Sequence, residues 1–227
     1  MFQSRPGYRL SLSAAALAAL FAFSAIGPVS AQERKSIRWA TSSVDSYGYK
    51  VAAAMVKIGE EALGGQYTIT VNPYPSTTGA MKAAMDGTAE IGYTADVGMT
   101  QIYAGEGGFK NYTPAKSKLV HAWYSYPMES FMATSAKEAD KYKCWGDFSG
   151  KPVFFTPAGF MNWLNFGRIY KALGYQFKHV QIDAKSQSDA LQAGTIAGAV
   201  AYTTAGRSLS SYWKETDVRM DVKVINP

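Results

Sequence analysis

The chain has 227 residues, of which 47% are hydrophobic and 18% charged, and it carries a formal net charge of +6. Its lysines and arginines are scattered, which excludes the basic stripe of a nucleic-acid-binding surface and leaves only a weak long-range preference for anions. The lone cysteine, Cys144, allows no intramolecular disulfide, so stability has to come from packing; beside Trp145 and with no histidine nearby, it reads as a bystander before a catalytic thiol.

Arg5 and Arg9 precede a nearly unbroken run of Leu, Ala, Ser and Phe from Leu10 to Ile26, followed by Pro28 and Val29-Ser30-Ala31. This is the pattern of a secretory signal peptide cleaved after Ala31, and it predicts a periplasmic protein. The two arginines are not adjacent, as a twin-arginine signal requires, and no cysteine follows the cleavage site to carry a lipid. Without residues 1–31 the chain keeps 21 basic and 17 acidic residues, a net +4 over 196 residues, enough for two small lobes with modest cores. No later apolar run is long enough to cross a bilayer, so no membrane insertion of the mature chain is expected.

The first half reads as a strand over 36–40, a hydroxyl-rich loop over 41–50, a helix over 51–63 and an alternating strand over 66–71. A loop over 72–79, NPYPSTTG, is stiffened by two prolines and leads into a short helix over 80–85. Asp86-Gly87-Thr88 stops that helix, a small-residue strand ends in Tyr93-Thr94, and Asp96 stands in N-cap position for a helix over 97–104. Residues 105–118 read as a surface loop, 119–124 and 131–134 as strands, with His121 packed in the first, and 137–150 as an exposed polar stretch.

The second half repeats the first. A strand over 152–155 leads to a loop over 156–163 that carries Phe160 and Trp163, then to a helix ending in Ala172-Leu173-Gly174, as the earlier one ends in Ala62-Leu63-Gly64. A strand over 176–182 follows, and then KSQSDALQAGTIAGAVAYT over 185–203, which matches STTGAMKAAMDGTAEIGYT over 76–94. Ala193-Gly194-Thr195 corresponds to Asp86-Gly87-Thr88, and Tyr202-Thr203 to Tyr93-Thr94. Each half is therefore strand, loop, helix, strand, loop, helix, strand, the alternation of a parallel sheet covered by helices. Ligands of such sheets sit beyond the carboxyl ends of the strands, where helix N-termini point outward, so two lobes facing each other there enclose a cleft.

The hydroxyls of the loops can serve either as helix caps or as ligand donors, and Phe160 and Trp163 either as a stacking wall or as core. No nucleophile elbow, Rossmann fingerprint, phosphate-binding Gly-Lys loop or metal-spaced His or Cys set is present; His179 has no metal-spaced partner. No cofactor, metal or enzymatic activity is expected.

Thr41 and Tyr49 framing VAAAMVKI over 51–58, the Gly87 to Gly92 turn and strand, Asp96-Val97, Pro157-Ala158-Gly159, Leu164-Asn165, Arg168-Ile169 and Ala172-Leu173-Gly174 together make the chain resemble the TAXI-family solute receptors of tripartite ATP-independent periplasmic (TRAP) transporters. The resemblance covers nearly all of residues 37–227. It implies an α/β, two-lobe periplasmic-binding-protein type II fold, each lobe a small mixed sheet flanked by helices, with the ligand cleft between them. It implies capture of a small organic acid or amino acid-like solute and its delivery to the membrane permease subunits of a TRAP transporter.

The expected cleft positions are Thr41, Ser42, Ser43, Tyr49, Ser76, Thr77, Thr78, Thr94, Ala158, Gly159, Phe160, Asn162 and Thr203. The family's first loop carries glycines where this chain has Ser42, Asp45 and Ser46, and an ionised Asp45 beside the site would repel a carboxylate. Phe160, Met161, Asn162 and Trp163 replace small and hydroxyl residues, which implies a bulkier pocket. Family members also continue past the position of Pro227 to complete the first lobe. The first lobe is thus expected over 32–129 and 203–227, short of the usual C-terminal segment, and the second over 130–202. A sensory module for a membrane signalling protein and a secreted carboxylate-dependent hydrolase or lyase are the alternative readings.

Overall fold

Alternating strand and helix build the first lobe from β1 (Lys35–Thr41), α1 (Tyr47–Ala62), β2 (Tyr67–Pro73), α2 (Thr77–Met85), β3 (Ile91–Gly92) and α3 (Asp96–Ala104). The computed structural model describes residues 33–113 and 119–227, so the export signal read in residues 1–31 and the end of the 105–118 loop lie outside the described residues. Lys35–Pro227 form one compact unit. In the first sheet the strand order is β2-β1-β3, and both pairings are parallel. Its core is built of small and flexible side chains: Ala40, Ala80, Ala83 and Ala89 in one cluster, Met81, Met85 and Phe109 in another.

The second lobe comprises β4 (Met128–Ser135), β5 (Pro152–Phe154), α4 (Met161–Ala172), β6 (Lys178–His179), α5 (Gln187–Gln192), β7 (Gly198–Thr204), β8 (Ser208–Leu209), α6 (Ser211–Arg219) and β9 (Val222–Ile225). The sheet runs β6-β5-β7-β4-β9, with β8 on β7; β5 pairs in parallel with both neighbours, while β4 is antiparallel to β7 and β9. The parallel trios β2-β1-β3 and β6-β5-β7 have the same order, so the internal repeat is a repeat of structure. Aromatic side chains fill this lobe, with Trp145, Phe148, Phe155, Phe166 and Tyr170 on one side of the sheet and Phe154, Tyr202, Tyr212 and Trp213 in the other cluster.

Several sequence expectations change. The first sheet is wholly parallel rather than mixed. Residues 119–124 form no strand and His121 is exposed rather than packed. Residues 203–227, expected in the first lobe, continue the second: β8 and β9 pair with β7 and β4, and Trp145 Nε1 donates to the Ile225 carbonyl at 2.7 Å. Residues 137–150 are not simply exposed, because Trp145 and Phe148 turn inward and Tyr142 stacks on Phe148 at 4.3 Å. The strand expected over 176–182 shrinks to β6. Helix α1 begins at Tyr47, four residues early, because Ser46 Oγ caps it by accepting from Tyr49 N at 3.1 Å. Asp96 is the first helical residue of α3 rather than its N-cap, which is Ala95.

One ion pair ties β1 to the turn before β3. Arg38 Nη2 lies 2.5 Å from Glu90 Oε1, while Arg38 Nε and backbone N donate to Glu90 Oε2 at 3.1 and 2.6 Å. The bonds from Arg38 hold the Glu90 carboxyl down from 4.5 to about 2. A carboxyl depressed in the folded state adds stability above its unfolded value and loses it as pH falls through the folded one. The first lobe is therefore expected to lose this contribution between pH 4.5 and about 2. In acid titrations of stability, Glu90→Gln should flatten that limb while costing little at pH 7, since both side chains are 42% exposed; an unchanged limb would show that the pair does not contribute.

Candidate functional site

Four helices start at the gap between the lobes. At the first, Ser42 Oγ donates to Ser46 Oγ at 2.7 Å, and Ser46 caps α1. At the second, Ser76 Oγ accepts from Gly79 N at 3.1 Å and caps α2. The other two, α3 and α4, follow Ala95 and Phe160 and have no side-chain cap. Ser42, Ser46, Thr77 and Ala95 from the first lobe, and Thr156, Phe160, Met161 and Asn162 from the second, line a common cavity of about 40 Å³. The orientation of all four helices places positive dipole ends around this space.

Tyrosines complete the wall: Tyr47, Tyr93, Tyr126 and Tyr202 all face the cavity. The hydroxyls of Tyr93 and Tyr126 hydrogen-bond to each other, and the Tyr47 ring meets that of Tyr126 edge-on at 5.0 Å. Burial pushes the Tyr93 phenol up to about 12 and raises those of Tyr126, Tyr202 and Tyr212. These phenols are thus neutral donors at any physiological pH. No lysine, arginine, histidine or carboxylate is among the described residues lining the cavity, so whatever charge a ligand brings is met by helix ends and neutral hydroxyls.

The lobes touch around this cavity. Thr78 Oγ1 donates to the Gly159 carbonyl at 3.2 Å, Thr94 Oγ1 lies 3.8 Å from Met161 Sδ, and Lys185 Nζ pairs with Asp45 at 3.2 Å. Lys50 Nζ also donates to Ser211 Oγ. Gly159 can approach this closely because it has no side chain: its φ is +89°, and a Cβ there would stand 3.0 Å from Ser76 Cβ. A space of 40 Å³ is far below the roughly 300–1,000 Å³ of small-molecule sites. Entry of a solute therefore requires the lobes to part.

Of the expected cleft positions, Ser42, Thr77, Phe160 and Asn162 line the cavity. Thr78, Thr94 and Gly159 lie at the contact between the lobes. The rest do not line it. Thr41 is fully buried, with its hydroxyl donating to the Ser42 carbonyl at 3.1 Å. Ser43 gives its carbonyl to Ser46 N, and Tyr49 and Ser76 take part in the capping of α1 and α2. Ala158 is exposed, its N–H donating to Gln181 Oε1 at 3.0 Å, and Thr203 Oγ1 donates to Glu129 Oε2 at 2.8 Å. The repulsion expected from Asp45 is answered by Lys185.

Sequence reasoning passed over Thr156 and the tyrosines. Thr156 opens the loop equivalent to that of Thr41, and Tyr93 and Tyr202 precede the two threonines it selected, so the repeat itself carried the signal.

No protein-family model matches the chain. No curated protein matches it either. Solved structures do. A putative L-cystine ABC transporter from Listeria monocytogenes superposes with TM-score 0.58 and 12% identity over 85% of this chain and 78% of that one. The fold is that of the periplasmic solute-binding proteins. The periplasmic aliphatic sulphonate binding protein of Escherichia coli gives TM-score 0.54 at 16% identity over 86% of this chain. A probable amino-acid ABC transporter extracellular-binding protein from Bacillus subtilis gives 0.53 at 12%, over 86% of this chain and 79% of that one. The chain spans 60% of the length of the Escherichia coli protein. Two of these neighbours are named as binding proteins. No helix among the described residues is long and apolar enough to cross a membrane.

Proposed function

We propose that the chain is a periplasmic solute receptor that captures a small organic acid or amino acid-like solute and delivers it to the permease subunits of a TRAP transporter. The observation that carries the reading is the convergence of four helix N-termini and neutral hydroxyls on one interlobe cavity in a solute-binding fold. The family resemblance in the sequence supports the choice of a TRAP permease. Contacts such as Thr78 to Gly159 and Lys185 to Asp45 belong to the shut arrangement, and a ligand that touches both lobes would favour that arrangement over a parted one.

The test is a thermal melt of residues 32–227 against a panel of organic acids and amino acids. A ligand at 100 times its Kd adds about 2.7 kcal/mol to stability, and for a chain of this size that raises Tm by about 5–10 °C. A cooperative melt that no member of the panel shifts counts against the receptor reading. For a solute that does shift it, receptor-dependent uptake by cells should vanish when the ion gradient is collapsed and survive ATP depletion; the reverse pattern would replace the TRAP permease by an ATP-driven one.

A further inference from the structure

Thr156 is the one residue of the cavity wall whose polar group is both buried and idle. It is 1% exposed and lines the space between the lobes, and its Oγ1 has no hydrogen-bond partner among the described residues. Buried hydroxyls are mostly paired; those of Ser188, Thr204 and Ser210 are idle too, but Thr156 alone of these belongs to the cavity wall, where a ligand could supply the partner. The backbone adds to this: Thr156 has φ of 80°, a conformation that β-branched residues avoid and that structures retain chiefly at binding and catalytic sites. Its repeat equivalent, Thr41, has its hydroxyl satisfied by the Ser42 carbonyl, so of this matched pair only Thr156 keeps an unpaired hydroxyl.

What surrounds Thr156 defines the chemistry. Helix α4 begins at Met161 with no side chain capping its first turn. Asn162, 4% exposed, has its Oδ1 engaged by Ser130 Oγ at 2.9 Å, which leaves its N–H groups for the cavity. These are all donors, suited to an anion. Nothing on the wall would accept from a charged ammonium with a full negative charge. The nearby carboxylates are committed, Asp45 to Lys185 and Glu129 to Thr203 Oγ1 and Gly206 N. An amino acid bound here would bury its ammonium without a counter-charge, beside positive helix ends, which is strongly unfavourable.

We infer that the cleft takes the acid group of a singly charged organic acid, a carboxylate or sulfonate, against Thr156 and the first turn of α4, and discriminates against the amino acid of the same skeleton. The inference rests on the solute-receptor reading and narrows it. Phe160 and the tyrosine rings then receive an apolar or aromatic remainder.

Calorimetric titration of the mature chain with three matched pairs tests it: 3-phenylpropanoate and phenylalanine, 4-methylpentanoate and leucine, propanoate and alanine. At least one acid should bind about tenfold more tightly than its amino acid, the factor that one unmatched buried charge exceeds. An amino acid binding as tightly as, or more tightly than, its acid overturns the inference while leaving the receptor reading intact. Failure of all six to bind overturns the inference and leaves the receptor reading to the wider melt panel. With the acid that binds, Thr156→Gly should weaken affinity about tenfold, the loss of one hydrogen bond to a charged group. Its ligand-free Tm should hold or rise, because glycine adopts a positive φ without strain. Thr156→Ser should retain affinity within about threefold, since the hydroxyl is kept. Equal affinity in Thr156→Gly would mean that the hydroxyl does not meet the ligand.

Discussion

Replacing Trp213 by alanine is expected to destabilise the second lobe by about 4 kcal/mol, within the range for deleting a buried Trp side chain. The side chain is 1% exposed on α6 and packs in the cluster that contains Phe154, Leu191, Ile196 and Tyr202. Its Nε1 donates to the Val200 carbonyl at 2.9 Å, in the strand that carries the ladders to β4 and β5. Removing the ring opens a cavity and also leaves that carbonyl without its indole donor, and both effects act in the same direction. Folded domains have only about 5–15 kcal/mol in total, so the variant should be largely unfolded at modest urea. Urea titration followed by far-UV circular dichroism reads the loss, and Trp213→Phe, which keeps most of the packing and loses only the bond, should cost about 1–2 kcal/mol. A cost below about 1 kcal/mol for Trp213→Ala would contradict the docking of α6 on the second sheet and revive the expectation that residues 203–227 serve the first lobe.

The order of elements was legible because the chain states it twice. One copy of KSQSDALQAGTIAGAVAYT could be any helix and strand; matched to STTGAMKAAMDGTAEIGYT at the same place in a second half, it fixes the equivalence of β3 with β7 and of α2 with α5. The partners that strands choose were not legible. Residues 119–124 have the β-branched and aromatic composition of a strand, yet they form no ladder. Pairing is a long-range choice, made by packing across the sheet rather than by local pattern. The C-terminal residues were misplaced for the same reason, since the indole bonds from Trp213 to Val200 and from Trp145 to Ile225 join residues far apart in sequence or in different elements.

The candidate site was legible at the level of loops but not of atoms. Thr41 and Thr156 are equivalent in sequence and both buried, and only coordinates reveal that the first hydroxyl turns to its neighbour's carbonyl while the second is left idle. The tyrosines beside Thr94 and Thr203 carry less signal in a sequence, for a physical reason. Tyrosine reads as core in a sequence, but a phenol is amphipathic, and at a lobe boundary its ring packs while its hydroxyl finds a hydrogen-bond partner. Tyr93 and Tyr202 both line the space, with their hydroxyls bonded to neighbouring side chains, whereas Thr94 and Thr203 do not line it.

The second large effect is expected at Gly48, in the first turn of α1. A Cβ built there would lie 2.5 Å from Tyr93 Cε1 and 2.7 Å from Cζ, distances no real methyl tolerates. The ring has little freedom to yield: Tyr93 is half-buried, its hydroxyl is bonded to that of Tyr126, and the two rings stack at 6.4 Å. Gly48→Ala must therefore push the Tyr93 ring toward the cavity of about 40 Å³ or force α1 away from it, and either change removes a wall of the cleft. Overpacking of this kind costs about 1–3 kcal/mol, and the gain of about 1 kcal/mol in helix propensity on replacing glycine offsets part of it. Stability should accordingly fall by no more than about 2 kcal/mol, while affinity for the bound acid should drop at least tenfold, a change of about 1.4 kcal/mol in binding free energy. Gly59→Ala in the same helix is the control. Its Cβ would meet only the flexible end of Ile69, Cδ1 at 3.3 Å, so it should be neutral or stabilising and leave affinity unchanged. If calorimetry finds Gly48→Ala binding as the parent does, Tyr93 is not a wall of the ligand site, and the cavity between the lobes is packing rather than a pocket.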